Sequence, residues 1–193
     1  MTALNAKAAI LFHRSAQLAG QWMPNMQTRE FHSYTAAFQS INRLIETFRN
    51  TLPSLYHLDP KHPSTRTLLL VHALTDAATI KLHINFSYAD SSSKQHCLAA
   101  ARNMFTFGGL NIPDIGYINP IMGTLWVAAC HVFIDEISRV RSLSNSWPPN
   151  TEGSDDELVD TLRSGIAALS AMSEESSFNK DQLTKIQEAF STI

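Results

Sequence analysis

The chain has 193 residues, of which 44% are hydrophobic and 17% are charged. This length allows one sizeable core but is short for two, and the composition is too apolar for a disordered chain. The formal net charge is −2. The basic residues are scattered rather than clustered, which argues against direct nucleic-acid binding by this chain, because phosphate contacts need grouped cations.

The charge is unevenly distributed along the chain. Residues 1–151 contain 12 Lys/Arg and 8 Asp/Glu, a net charge of +4, whereas residues 152–193 contain 3 and 9, a net charge of −6. The charged fraction is also below the usual value of about 25%. Two interpretations fit this shortage of charge: a large helical core, or apolar surface that another segment or a partner covers.

Cysteine content and hydropathy bear on the cellular compartment. Cys97 and Cys130 are far apart and outside CxxC spacing, so we expect two buried thiols rather than a disulfide framework or a zinc site. The longest apolar stretch, Ile121 to Ile134, is shorter than the ~20 residues that span a bilayer, and we predict no membrane helix. The first 29 residues lack acids and resemble a mitochondrial presequence, although their apolar pattern also fits a core helix.

Hydrophobic periodicity predicts three helices in the first half of the chain. Apolar residues at three- and four-residue steps predict a helix over Leu4–Trp22, ended by Pro24. A second, over Phe38–Leu52, buries one stripe and turns Arg49 to water. A third begins at Ser64 as N-cap and runs to about Phe86, with apolar residues on nearly every side. We therefore expect this third helix at the centre of the fold.

Two further helices follow. The fourth begins after three serines, 91–93, and ends at Gly108-Gly109. A turn-rich loop separates it from the fifth, for which Asn119-Pro120 is a start signal, because Asn caps free amides and Pro favours the first helical turn. The fifth helix is strongly apolar and ends in a cationic turn at Arg139 and Arg141. We predict that it shares the centre with the third.

The C-terminal region reads as a linker followed by helices. Residues 142–153 are rich in Ser, Pro and Asn, which is typical of a linker. Ser154 and Glu157 have capping-box spacing, and a helix with Leu158 to Met172 and a shorter one with Leu183 to Phe190 follow. The predicted fold is all-α, a single domain of six or seven helices, with a core over 1–141, a linker over 142–153 and acidic helices over 154–193 that pack on the core.

A doubled His/Asp spacing is the sharpest chemical feature. His72 and Asp76 are four residues apart on the third helix, and His131 and Asp135 are four apart on the fifth, so each pair shares a helix face. If the two faces met, the four side chains could bind a transition metal or form a general base. The simpler interpretation is that each Asp accepts a hydrogen bond from the His one turn away.

Other catalytic motifs are missing from the sequence. Residues 107–110 do not form a phosphate loop, since no Lys-Ser/Thr follows them. The chain has neither a GxSxG motif nor the Cys/His signature of a protease family. We therefore predict a non-enzymatic protein without catalytic residues, cofactor or metal. A small helical metal-binding protein or enzyme that uses His72, Asp76, His131 and Asp135 is the alternative.

Several segments resemble the C-terminal regulatory region of fungal binuclear zinc-cluster transcription factors. Asn119–Trp126 and Val132–Ile137 are the most specific of them. The likeness extends over most of residues 4–141 and includes further segments, namely Ala6–Phe12, Phe38–Pro53, Leu69–Leu74, Ala77–His83 and Cys97–Arg102.

The resemblance implies an all-helical regulatory domain of a nuclear transcription factor. In that family an N-terminal cluster of six cysteines binds two zinc ions and reads DNA, while the later helices restrain activation and contact partners. This chain has two cysteines, so zinc and DNA binding are not implied for it. It would be the C-terminal piece of a longer factor, a truncated version of one, or a stand-alone relative, with protein partners or a small effector.

Overall fold

The computed structural model describes residues 2–56, 58–106, 112–116, 118–144, 154–173 and 176–192, and over these ranges it contains helices and no strands. The all-α, single-domain prediction is confirmed. A single 3₁₀ turn, Ile84–Phe86, extends the third helix. The helices are α1 (Thr2–Gly20), α2 (Thr28–Asn50), α3 (Pro63–His83), α4 (Ser91–Thr106), α5 (Ile112–Ile115), α6 (Ile121–Ser144), α7 (Ser154–Ser173) and α8 (Ser177–Ser191).

Helices α3 and α6 lie at the centre of the packing. Helix α3 packs against α1, α2 and α4, and 14 of its 21 residues are buried. Helix α6 packs against α4, α7 and α8 and also touches α3; its Trp126 and Phe133 are fully buried. Helix α4 therefore lies between an N-terminal group of helices and a C-terminal one. These are the two helices that the sequence places at the centre, because neither has a polar face wide enough for solvent.

Two helix starts differ from the prediction and a third agrees with it. Helix α2 begins at Thr28, ten residues before Phe38, and Glu30 Oε2 accepts a hydrogen bond from the Gln27 N–H at 3.3 Å. At α3 the cap is His62 rather than Ser64, because His62 Nδ1 accepts from the Ser64 N–H at 3.2 Å. The predicted cap of α6 is present: Asn119 Oδ1 accepts from the Ile121 N–H at 3.1 Å.

The second half of the chain departs from the prediction at segment ends. Helix α5 forms within the predicted loop, and α6 continues to Ser144, past the boundary placed at 141. Gly108-Gly109 and residues 145–153 of the predicted linker lie outside the described residues, as does the side chain of Ser154 in the predicted capping box. Helix α7 begins at Ser154 itself. Helices α7 and α8 pack on α6, and α7 also contacts α4 and α5.

Two helices meet the length and hydropathy of a membrane-spanning segment, although the sequence pattern predicts none. By length and composition alone, Pro63–Phe86 and Ile121–Leu143 would each suffice to cross a bilayer. The second reaches this length because α6 continues through Asp135 and Glu136, where the sequence count stops. Their most apolar windows are 72% and 56% buried inside the fold. Core helices of this length satisfy the same criterion, and the burial favours that role.

Both cysteines are buried and free, as expected from the sequence. Burial raises the pKa of each thiol to about 12. Since the thiolate is the reactive form, Cys97 and Cys130 pack as small apolar side chains and are chemically inert at neutral pH.

Phe133→Ala should lower the free energy of unfolding by about 3–5 kcal/mol, because the truncation leaves a cavity in the centre of α6 packing. Phe178→Ala is the matched control, since Phe178 is 48% exposed, and its effect should stay within about 1 kcal/mol. Urea denaturation of the two variants measures both values. Equal losses would contradict the assignment of α6 as a central helix.

Candidate functional site

The structure does not bring the four His/Asp residues together. His72 and Asp76 line a cleft with residues of α2 and α4, whereas Asp135 lines a different cleft and His131 is exposed. Over the residues that the structure describes, no three His, Cys, Asp or Glu side chains are grouped so as to hold a metal ion. The hypothesis of a shared metal or general-base site therefore has no geometric support.

The Asp76 carboxylate pairs with α2 rather than with the histidine of its own helix. Its Oδ1 lies 3.0 Å from Arg49 Nη2, and the same Nη2 donates to Thr79 Oγ1 at 2.8 Å. Burial raises the pKa of Asp76 to about 7, while the Arg49 charge and a hydrogen bond from Asn103 oppose the rise. The side chain of Asp76 is 8% exposed and that of Arg49 26%. A carboxyl held this deeply changes charge near neutral pH.

His72 also has a partner other than the predicted one. Its Nε2 lies 2.9 Å from the carbonyl oxygen of Pro53, so the ring donates through Nε2. Burial lowers the pKa of His72, and the nearby Arg49 charge lowers it further, against the hydrogen bond to Pro53. The ring is therefore neutral at pH 7, with Nδ1 as an acceptor. The within-helix hydrogen bond between His72 and Asp76 of the simpler interpretation is not formed, because His72 reaches Pro53 and Asp76 reaches Arg49.

These groups line a solvent-open cleft of about 250 Å³ between α2, α3, α4 and the segment after α2. Arg49 and Asp76 meet across its α2–α3 wall, Asn103 approaches from α4, and Tyr56, 66% exposed, stands at the rim. The sequence pattern does not reveal this cleft, because the periodicity of α2 predicts that Arg49 faces water. Asp76 inside an otherwise apolar helix is the signal that could have found it, since a buried carboxylate requires a donor from a neighbour.

A second polar cluster lies further along α3. His83 is 3% exposed; its Nδ1 lies 3.1 Å from Ser93 Oγ on α4 and its Nε2 lies 3.1 Å from Asn42 Oδ1 on α2. The His96 ring stacks on it at a centroid distance of 4.5 Å. From Asp76 to His83 along α3, the residue numbers of the partners fall, from 49 to 42 on α2 and from 103 to 93 on α4. Both helices therefore run antiparallel to α3, and these contacts fix their register.

The cleft at Asp135 is smaller and more strongly charged. Glu136 accepts from Arg139 at 2.6 and 2.7 Å and lies 3.5 Å from Lys94 Nζ. Tyr88 and Asp135 line the same cleft, and the Asp135 charge raises the pKa of the Tyr88 hydroxyl. His131 lowers the pKa of Asp135 through its charge, although burial raises it more. The four-residue spacing of His131 and Asp135 therefore affects only the pKa of Asp135. The ion pairs of Glu136 with Lys94 and Arg139 provide the other charge interactions of this cleft.

Together these features define an all-α domain in which two polar clusters, at Asp76 and at His83, lie between α2, α3 and α4. No protein-family model, curated protein or solved structure matches the chain. The class of protein, an all-α domain, is therefore defined by the arrangement of its helices.

The His83 cluster predicts acid sensitivity. Burial and the neighbouring His96 lower the pKa of His83 to about 4, whereas in the unfolded chain it is about 6.5. The unfolded state then binds more protons between these pH values, so the contribution of neutral His83 to stability, up to roughly 3 kcal/mol, is lost as pH falls from 6.5 towards 4.

Urea denaturation at pH 7 and pH 5 should show a smaller pH-dependent loss for His83→Asn than for the unmodified chain. Comparison of the two slopes removes the opposite contribution of Asp76, whose raised pKa favours the folded state at low pH. His32→Asn, at an exposed histidine of α2, should retain the unmodified slope. Parallel slopes for all three proteins would show that His83 is not held neutral.

Proposed function

We propose that this chain is a non-catalytic regulatory and interaction domain, of the kind found in the C-terminal region of fungal binuclear zinc-cluster transcription factors, and that it acts in the nucleus. Docking and release of the acidic helices α7 and α8 would be its switch. The observation that carries the proposal is the way these two helices are seated on α4 and α6, with a favourable apolar seam and an uncompensated polar group in the same interface.

The apolar seam provides the attraction. Leu162 and Leu169 of α7 and Ile186 of α8 are fully buried. Phe105 of α4 reaches Gly165, where an added Cβ would come within 2.5 Å of the ring. The same ring lies near two aromatic rings of α6, with centroid distances of 5.9 Å to Trp126 and 5.4 Å to Phe133. A methyl at residue 165 would therefore shift α7 or the Phe105 ring.

The uncompensated group is the side chain of Asn179. It is 4% exposed, and its Nδ2 donates to the Met172 carbonyl at 3.2 Å. Its Oδ1 is buried without a hydrogen-bond partner among the described residues, and it lies where a Cβ on Gly123 of α6 would stand. An unsatisfied buried acceptor costs about 1–3 kcal/mol. Undocking would return this oxygen to water. The buried oxygen therefore makes docking less favourable, which suits a reversible contact.

Charge on the docked pair suggests the kind of partner. Asp156, Glu157 and Asp160 on α7 and Asp181 and Glu188 on α8 are exposed. Arg102 of α4 reaches Glu157 at 3.1 Å, but both side chains are largely exposed, and such pairs contribute at most about 1 kcal/mol. The outer acidic face thus stays available to a basic surface on a protein partner, which could hold the pair in place or draw it away.

Gly165→Ala should loosen the docked pair, because the new methyl meets the packed ring of Phe105. We expect it to lower the free energy of unfolding by about 1–3 kcal/mol and to increase the fluorescence of a dye that binds apolar surface. Gly20→Ala is the control, since nothing lies within 4 Å of its added Cβ. Destabilisation without extra dye binding would indicate that the tail does not separate from the core.

A reporter assay tests the regulatory role itself. The chain, its Gly165→Ala variant and the Gly20→Ala control would each be fused to an unrelated DNA-binding domain and matched for expression. If α7 and α8 restrain or present an interaction surface, the Gly165→Ala fusion should change reporter output severalfold while the Gly20→Ala fusion does not. Equal output from all three fusions, with tail release shown by dye binding, would reject the regulatory proposal.

A further inference from the structure

The Arg49–Asp76 pair is incompletely bonded for a buried ion pair. A guanidinium has five N–H donors arranged to engage a carboxylate through two parallel bonds. Here Nη2 lies 3.0 Å from Asp76 Oδ1 and is shared with Thr79. The Nε of Arg49 is buried and has no hydrogen-bond partner among the described residues. A turn of the Arg49 side chain towards the cleft would expose Nε, and a carboxylate could then engage Nε and Nη2 side-on.

The surroundings of Arg49 suit a small anion. The cleft that it lines is open to solvent and measures about 250 Å³, and its remaining polar lining includes Ser54, Tyr56 and Asn103, all able to donate hydrogen bonds. Leu55 supplies an apolar wall. One cation, a set of neutral donors and an apolar wall are the features with which proteins bind small carboxylates.

Charge balance restricts the ligand further. Asp76 already faces Arg49, and Glu46 of α2 is near enough to raise the pKa of Asp76. A dianion such as phosphate would place two more negative charges beside them, which one guanidinium cannot offset. A monocarboxylate adds a single charge, and one proton taken up by the protein restores the balance.

We propose that the cleft between α2, α3 and α4 binds a small organic monocarboxylate, with Arg49 as the cationic anchor and Asp76 taking up one proton from solvent as the ligand carboxylate replaces it on the guanidinium. No covalent bond forms or breaks in the ligand. This site does not depend on tail docking, since its lining belongs to α2, α3, α4 and the segment after α2.

The proton uptake makes binding depend on pH. Burial raises the pKa of Asp76 to about 7, so the fraction of protein with neutral Asp76 falls about tenfold between pH 6 and pH 8, and the apparent affinity falls with it. From α2, the charged groups that face Asp76 are Arg49 and Glu46, and α4 contributes neutral Asn103. His72, one turn earlier on α3, has a pKa that burial lowers.

L-lactate is a suitable probe and lactamide its uncharged counterpart. Isothermal titration of the full chain at pH 6 and pH 8, in two buffers of different ionisation heat, gives the affinity and the protons bound. We expect lactate to bind about tenfold more tightly at pH 6, with uptake of nearly one proton at pH 8. We also expect an NMR shift of the Arg49 Nε–H on lactate addition. Lactamide should not bind.

Variants separate the roles of the two residues. Asp76→Asn, which imitates the protonated carboxyl, should bind lactate equally at pH 6 and pH 8 and without proton uptake. Arg49→Gln should abolish binding, and the exposed Arg43→Gln on the same helix should bind as the unmodified chain does. Absence of lactate binding to both the unmodified chain and Asp76→Asn, or pH-independent binding to the unmodified chain, would overturn the proposal even if Arg49→Gln fails to fold.

Discussion

The ring of Phe105 joins α4 to two of the C-terminal helices, α6 and α7. It projects from α4, lies near Trp126 and Phe133 of α6, and on the α7 side meets Gly165, where only a hydrogen atom leaves it room. Three helices thus meet at one aromatic side chain and one glycine. Because protein interiors are close-packed, an added methyl at such a point must shift a helix or the ring. The position of α7, and of α8 which packs on it, follows from this contact.

The interface beside that contact contains opposing contributions. Burial of Leu162, Leu169 and Ile186 favours docking, while the unpartnered Oδ1 of Asn179 opposes it. A permanent core contact would be expected to satisfy this oxygen, since nearly all buried polar atoms in folded proteins have partners. An element whose docking is only modestly favourable is suited to regulation, because a partner then needs little binding energy to displace it. The regulatory proposal rests on this balance.

Sequence patterns predicted the apolar frame of the fold better than its polar contacts. The all-round apolar character of the third helix and the Asn119-Pro120 start of the fifth both correspond to observed features, since each depends on local periodicity or capping. The start of α2 was missed, because Gln27 is not among the preferred N-cap residues. The doubled His/Asp spacing suggests either a site shared by the third and fifth helices or hydrogen bonds within each helix, and periodicity cannot tell that Asp76 meets Arg49 or that His72 meets the carbonyl of Pro53.

The candidate site therefore emerged from tertiary contacts that no local pattern encodes. Arg49 sits beside the buried stripe of α2 and reads as a solvated cation in the sequence, yet the structure turns it inward to Asp76. Likewise, the sequence predicts that acidic helices pack on a basic body, but the close contacts of the seam are apolar and steric, with glycines at two of them. The net charge of α7 and α8 describes their exposed surface and not the contacts that hold them on the core.

Native-state hydrogen exchange of the intact chain tests whether α7 and α8 dock reversibly on a core that persists without them. We expect the amides of α7 and α8 to exchange together through an opening whose free energy lies well below that of global unfolding, while the central amides of α3 and α6 exchange only when the whole chain unfolds. Exchange of all four helices at the same free energy, through global unfolding alone, would contradict it.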